Sequence, residues 1–221
     1  ESWSADLVES LGGEPGITPE FRKLEQEGVL FTHLFASGNR SQQGLASIFS
    51  GFPAIPYTTI TQYPGKYGKL PSLPMVLEEH GYATSFYFGG DLDYGNILAY
   101  VMHNDFDKIV QETDVDGDVP RGRLGIHDEF MMKFHAEEMS GMPEPFFSVL
   151  FTLSSHSPYD QPKEHSIDWQ GEEALYVNSA YYSDYSLGQY FEMVKKESWY
   201  DSTLFVVIAD HSHNTYRNWP V

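Results

Sequence analysis

Asp210-His211 sets a hard carboxylate oxygen beside an imidazole, directly after the apolar run at 203–209 (TLFVVIA). With a further carboxylate and a hydroxyl, such an oxygen and nitrogen set suits Mn, Mg or Zn. The same pair also has a plain structural reading, with Asp210 capping a turn and His211 facing solvent. A hydroxyl is offered by Ser41, at the end of Ser37-Gly38-Asn39-Arg40-Ser41, where a short helix starts. Ser41 is either an ordinary N-cap or a nucleophile beside helix N-H groups that favour a phosphate. Arg40 is either a surface charge or a two-pronged grip on a phosphate oxygen. His156, in Ser154-Ser155-His156, is a general acid, an oxygen-binding donor or a strand-end cap. Asp91 and Asn96 suit substrate hydroxyls, but Asp and Asn are also common turn residues, and the turn reading is favoured. His33, His80, His103, His127, His135 and His165 fall within elements or surface loops and receive no role.

These groups need a frame that brings distant segments together. Helical and strand-like stretches alternate along the chain, the pattern of a largely parallel sheet covered by helices. Strands are expected at 29–35, 82–88, 145–153 and 203–209, with the last two apolar enough to be buried on both faces. Helices are expected at 18–28, 41–51, from Ser72 to before Gly81, at 96–103, 127–139 and 178–196. The polar stretch 111–125 reads as a surface excursion and 161–171 as an irregular loop. In open α/β sheets ligands bind beyond the carboxyl ends of the strands. Asp210-His211, Ser41, His156 and Asp91 each follow such a run. The expectation is an α/β fold with a mostly parallel central sheet and helices on both faces, forming one domain over residues 1–221. Both ends read as cuts into a longer domain.

Composition narrows the function. The chain has 221 residues, with 13 Lys and Arg against 32 Asp and Glu, a formal charge of −19. Such a surface repels nucleic acid, and an anionic substrate needs local help from a metal or an Arg. There is no Cys, which excludes thiolate catalysis and Cys-ligated zinc. No run approaches the length of a membrane span.

Several motifs occur in one order: Glu1-Ser2-Trp3, Thr18-Pro19 with Leu24, Gly38-Asn39-Arg40-Ser41, Gly51-Phe52-Pro53, Ser72-Leu73-Pro74, Glu79-His80-Gly81-Tyr82, Thr152 through Pro158 and Ala209-Asp210-His211. As a set they resemble the extracellular domain of lipoteichoic acid synthase-like phosphoglycerol transferases, in the sulfatase branch of the alkaline phosphatase superfamily. The Gly-Asn-Arg-Ser and Gly-Gly-Asp variants resemble the form found in Bacteroidetes-type bacteria.

The resemblance implies one divalent cation, Mn or Mg with Zn as an alternative, held by Glu1, Ser41, Asp210 and His211. Ser41 becomes the nucleophile on a phosphodiester such as an anionic phospholipid, passing its phosphoglycerol to an acceptor hydroxyl. Arg40, Asp91, Asn96, His156 and His213 fall on the substrate side. The family also implies an extracytoplasmic location, with membrane helices outside the covered region. Hydrolysis on the same chassis, as a phosphodiesterase, phosphatase or atypical sulfatase, is the alternative. A non-catalytic domain is a third reading. Three departures stand out: Ser41 replaces the usual Thr, Ser-Gln-Gln-Gly-Leu lacks the Pro and Arg of the formylglycine signature, and Gly95-Asn96-Ile97 replaces Trp-Asn-Arg.

Overall fold

In the computed structural model, which describes residues 2–213, a three-stranded sheet is sandwiched between helices. The strands are β1 (Ala83–Phe88), β2 (Lys108–Val110) and β3 (Phe146–Phe151), in the order β2-β1-β3. Both pairings are parallel, with Phe86 opposite Ile109 on one side and Val149 on the other. Successive side chains of a strand point to opposite faces. Phe86 and Phe88 therefore enter one core, with α2 (Ser41–Ser50) and α4 (Ile97–His103) supplying Leu45, Phe49, Tyr100 and Val101. Tyr87 enters the other face beside Val110, Ile126 and Met131 of α5 (Asp128–Met139). On that side α5 also packs on α6 (Ala174–Val194) through Met132, Met139, Phe191 and Val194. The expected α/β architecture, parallel with helices on both faces, is the one observed.

Two shorter helices complete the frame, α1 (Pro19–Glu25) and α3 (Leu73–Glu79). Ser72 caps α3, its hydroxyl accepting the N-H of Met75. The start of α1 is capped from a distance: buried Asp184 of α6 accepts the N-H groups of Glu20 and Phe21 at 2.7 and 2.8 Å. Residues near the chain start, Leu7 and Ile17, bury themselves against Tyr176, Val177 and Ala180 of α6.

Two expected strands are corrected. Residues 29–35 and 203–209 join no ladder among the described residues, and Val29, Phe35 and Leu204 are 82%, 84% and 87% exposed. Their apolar pattern carries the signature of a sheet interior, but a strand exists only against a hydrogen-bonded partner. β3 is an edge strand for the same reason, and most of it is half-buried where burial on both faces was expected. The short β2 has too few residues to show a period in the sequence.

Candidate metal centre and active site

Ser41 is the first residue of α2, and the N-cap is Arg40, with φ −146° and ψ 148°. The N-cap reading of Ser41 is thereby replaced. Its hydroxyl turns to His211, with Oγ 3.3 Å from Nε2. The imidazole is oriented from its other side, where Nδ1 lies 2.7 Å from the carbonyl oxygen of Ser212. A carbonyl only accepts, so Nδ1 carries a proton, and in the neutral ring Nε2 presents a lone pair. That is the tautomer of a metal-ligating histidine whose second nitrogen is anchored.

Asp210 completes the group. It is 4% exposed and His211 is 7% exposed, so neither is the solvent-facing turn residue of the plain reading. Asp210 Oδ1 accepts the N-H of His211 at 2.9 Å and that of Ser2 at 3.2 Å. Its Oδ2 is turned to His211 Nε2, 3.5 Å away. One carboxylate oxygen, one imidazole nitrogen and one hydroxyl thus converge from segments far apart in sequence.

Two glycines permit this convergence. A Cβ on Gly44, one turn into α2, would lie 2.7 Å from Asp210 Cβ and closer still to its carbonyl oxygen. Only a glycine lets the helix rest on Asp210. Gly95, at φ +65°, similarly meets Gln42, where an added Cβ would lie 2.8 Å from the side-chain Cδ. This contact seats the loop after β1 on the first turn of α2.

The remaining candidates make contacts of their own. Asn96 follows Gly95 in the left-handed region at φ 59° and is exposed. Asp91 accepts the N-H of Asp93 at 2.8 Å, an Asx turn, so the turn chemistry favoured from sequence is present. Ile97, where the resemblance leads one to expect an Arg, is buried in the core. His156 is half-buried beyond β3, its Nδ1 2.6 Å from the carbonyl oxygen of Ser157. Arg40 is exposed beside Ser41. His213 packs on Tyr176 with ring centroids 4.1 Å apart, and burial lowers its pKa. Tyr176 in turn donates to the carbonyl oxygen of Ser2 at 2.6 Å. Ser41, Asp210 and His211 are thus joined directly, whereas the contacts of Asp91 and His156 described above are to neighbours in their own loops. Glu1 lies outside the described residues.

Sequence reasoning passed over Ser2, Trp3 and Asp128. Ser2 donates to Asp210, and the indole of Trp3 donates to Ser155 at 3.1 Å. Asp128 accepts the N-H groups of Leu153 and Ser154 at 2.7 and 3.1 Å. An acid in the first turn of a helix is read as favourable to the helix dipole, and no local pattern announces a long-range bond.

Among the described residues no cluster of three or more His, Asp or Glu side chains forms a metal site. Two such ligands and a hydroxyl are present at Asp210, His211 and Ser41. This donor set, with the fixed tautomer, fits a hard or borderline divalent cation that takes a further oxygen ligand.

A sulfatase profile matches residues 1–219. The lipoteichoic acid synthase of Staphylococcus aureus (strain USA300) is 26% identical over 223 aligned residues, covering 96% of this chain and 34% of that protein. A crystal structure of an alkaline phosphatase superfamily protein from Vibrio parahaemolyticus superposes with a TM-score of 0.89 and 36% identity, over 97% of this chain and 53% of the other. The lipoteichoic acid synthase LtaP from Listeria monocytogenes shares the fold at a TM-score of 0.70 and 24% identity, over 81% and 46% of the two chains. The chain therefore spans about a third of the curated relative's length and about half of the solved ones. Over nearly all of its residues, this chain belongs to the sulfatase family.

Proposed function

We propose that residues 1–221 form one sulfatase-like catalytic domain that transfers a phosphoglycerol or related phospho-substituent through a phosphoserine at Ser41. The observation carrying this reading is the approach of Ser41 Oγ to His211 Nε2 at 3.3 Å, beside buried Asp210. Asp210, His211 and Ser41 would hold a divalent cation, Mn or Mg with Zn as an alternative, and Glu1, outside the described residues, would be the fourth ligand. The cation, when bound, lowers the pKa of the serine hydroxyl and offsets charge on the phosphoryl oxygens.

The chain's own groups do the rest. His211 is held in its ligating tautomer by Ser212, and Asp210 is fixed by the N-H groups of Ser2 and His211. Ser41 Oγ forms a bond to phosphorus, its proton passing to solvent, while the bond from phosphorus to the departing alcohol breaks. His156 supplies the proton that the departing oxygen takes up. An acceptor hydroxyl then attacks the phosphoserine, its proton passing to His156, while the bond from phosphorus to Ser41 Oγ breaks and that oxygen takes up a proton from solvent. The N-H groups at the start of α2, with Arg40 beside them, stabilise the phosphoryl oxygens.

The substrate proposed is an anionic phospholipid or similar phosphoester at the outer face of the cytoplasmic membrane. The relatives named as lipoteichoic acid synthases support this, and no described helix is long and apolar enough to cross a membrane. A hydrolase is the second reading, favoured by Ile97, a buried apolar side chain where the sequence resemblance leads one to expect an Arg. The test is turnover of phosphatidylglycerol by the full-length protein, with and without an alcohol acceptor. Diglyceride release that depends on the acceptor supports transfer. Release by water alone, undiminished when acceptor is supplied, overturns it in favour of hydrolysis.

A further inference from the structure

The buried polar groups between α5 and the metal centre form one connected path. Asp128, the first residue of α5, is 2% exposed. Its Oδ1 accepts the backbone N-H groups of Leu153 and Ser154, and its own N-H donates to Ser154 Oγ at 2.9 Å. Asp128 thereby grips the loop that leads into His156 from two directions. Its Oδ2 accepts the hydroxyl of Ser183, on α6, at 2.7 Å.

The donor order beyond that point follows from chemistry. Ser183 has one hydroxyl proton and gives it to the carboxylate, so towards Ser155, 3.1 Å away, it only accepts. Ser155 therefore donates to Ser183 and accepts from the indole Nε1-H of Trp3, which has no acceptor capacity. Each bond depends on the polarity of the one before it. The next residue in the chain is Ser2, whose N-H holds Asp210 Oδ1. Ser155 and Ser183 are 1% and 3% exposed, out of reach of bulk solvent.

We propose that Asp128 is a positioning residue for the transfer reaction. It fixes the His156 loop through the backbone and, through Ser183, Ser155 and Trp3, the Ser2 backbone that orients Asp210. The proposal rests on the phosphotransfer reading above. An amide at position 128 presents a donor to Ser183 and reverses the path. Ser183 then donates to Ser155, whose oxygen accepts from both Ser183 and Trp3 while its own proton loses the acceptor it had in Ser183.

The experiment uses the full-length protein with its divalent cation and compares wild type, Asp128→Asn, Trp3→Phe and Ser183→Ala. The expected result for Asp128→Asn is a folded protein whose kcat falls by about tenfold or more while KM for phosphatidylglycerol changes little, the signature of displaced groups at the reacting centre. The indole N-H resonance of Trp3, assigned by its loss in Trp3→Phe, moves in Asp128→Asn. Ser183→Ala, which leaves both backbone bonds of Asp128 intact, moves the same resonance and serves if Asp128→Asn does not fold. Unchanged kcat in a folded Asp128→Asn, or an unmoved Trp3 resonance in either variant, overturns the proposal. If the wild type itself turns over nothing, the phosphotransfer reading fails, and the indole resonance alone decides for or against the relay.

Discussion

Ser41 and His211 stand 170 positions apart in sequence, yet Ser41 Oγ lies 3.3 Å from His211 Nε2. The contact does not arise from local sequence. It needs α2 to begin at Ser41 itself, and it needs Gly44 to let that helix rest on Asp210.

Ser41→Ala removes the hydroxyl from a half-buried position in the first turn of α2, where alanine is a good helix former. Turnover of phosphatidylglycerol should fall by roughly 10³-fold or more, with the thermal midpoint within about a degree or two of wild type. Undiminished turnover in this variant removes Ser41 as the nucleophile.

Gly44→Ala tests the seat beneath Asp210. The new methyl collides with Asp210 Cβ and its carbonyl, and both are backbone or near-backbone atoms with little room to yield. Overpacking of this kind costs about 1–3 kcal/mol. The Mn half-saturation concentration should rise together with the loss of stability. A variant that loses stability and binds Mn as well as wild type shows that Asp210 is not a ligand.

Chelation should abolish turnover, and Mn should restore it. Mn titration should also raise the thermal midpoint, since a ligand at a hundred times its Kd stabilises the folded state by about 2.7 kcal/mol. Ser41→Ala retains Asp210 and His211, so it keeps most of that shift. Full activity in excess chelator counts decisively against the metal centre.

Two buried groups set opposing slopes of stability with pH. Burial pushes Asp184 up to about 7 from 3.8, against the opposing effect of the N-H groups of Glu20 and Phe21. Its folded pKa lies above its unfolded one, so its stabilising proton uptake is complete below pH 4 and is lost as pH rises through about 7. Burial lowers His135 to about 3 from 6.5, where Ser148 and Tyr190 hold the neutral ring. Its contribution is present above pH 6.5 and is lost as pH falls towards 3. Between these limits the two oppose each other. Asp184→Asn should therefore lose stability more steeply than wild type on acidification from pH 7 to about 4.5, and His135→Gln less steeply. Thermal midpoints across that range decide it, and parallel slopes in all three proteins refute the assignment.

The helices that carry chemistry were legible because their signals are local. Ser41 opens a helix that Gly51 ends in the left-handed region, and Ser72 caps the next one as its sequence suggests. β1 was legible from its apolar run bounded by glycines. The polar path from Asp128 to Trp3 was not, because each of its bonds joins segments distant in sequence and a buried serine looks like any other serine. The apolar runs at 29–35 and 203–209 misled for a related reason. Hydropathy records that a segment suits a sheet interior, whereas the strand itself depends on a neighbour that hydropathy cannot name.

The open side of β3 and the water-facing side chains of Leu204, Val206 and Val207 have a practical consequence at the bench. A sheet edge beside exposed apolar residues is a template for intermolecular pairing. A preparation restricted to these residues should self-associate as its concentration rises, reversibly at first and then as precipitate. Light scattering against concentration would register this, and substituting lysine for Val206 should delay its onset.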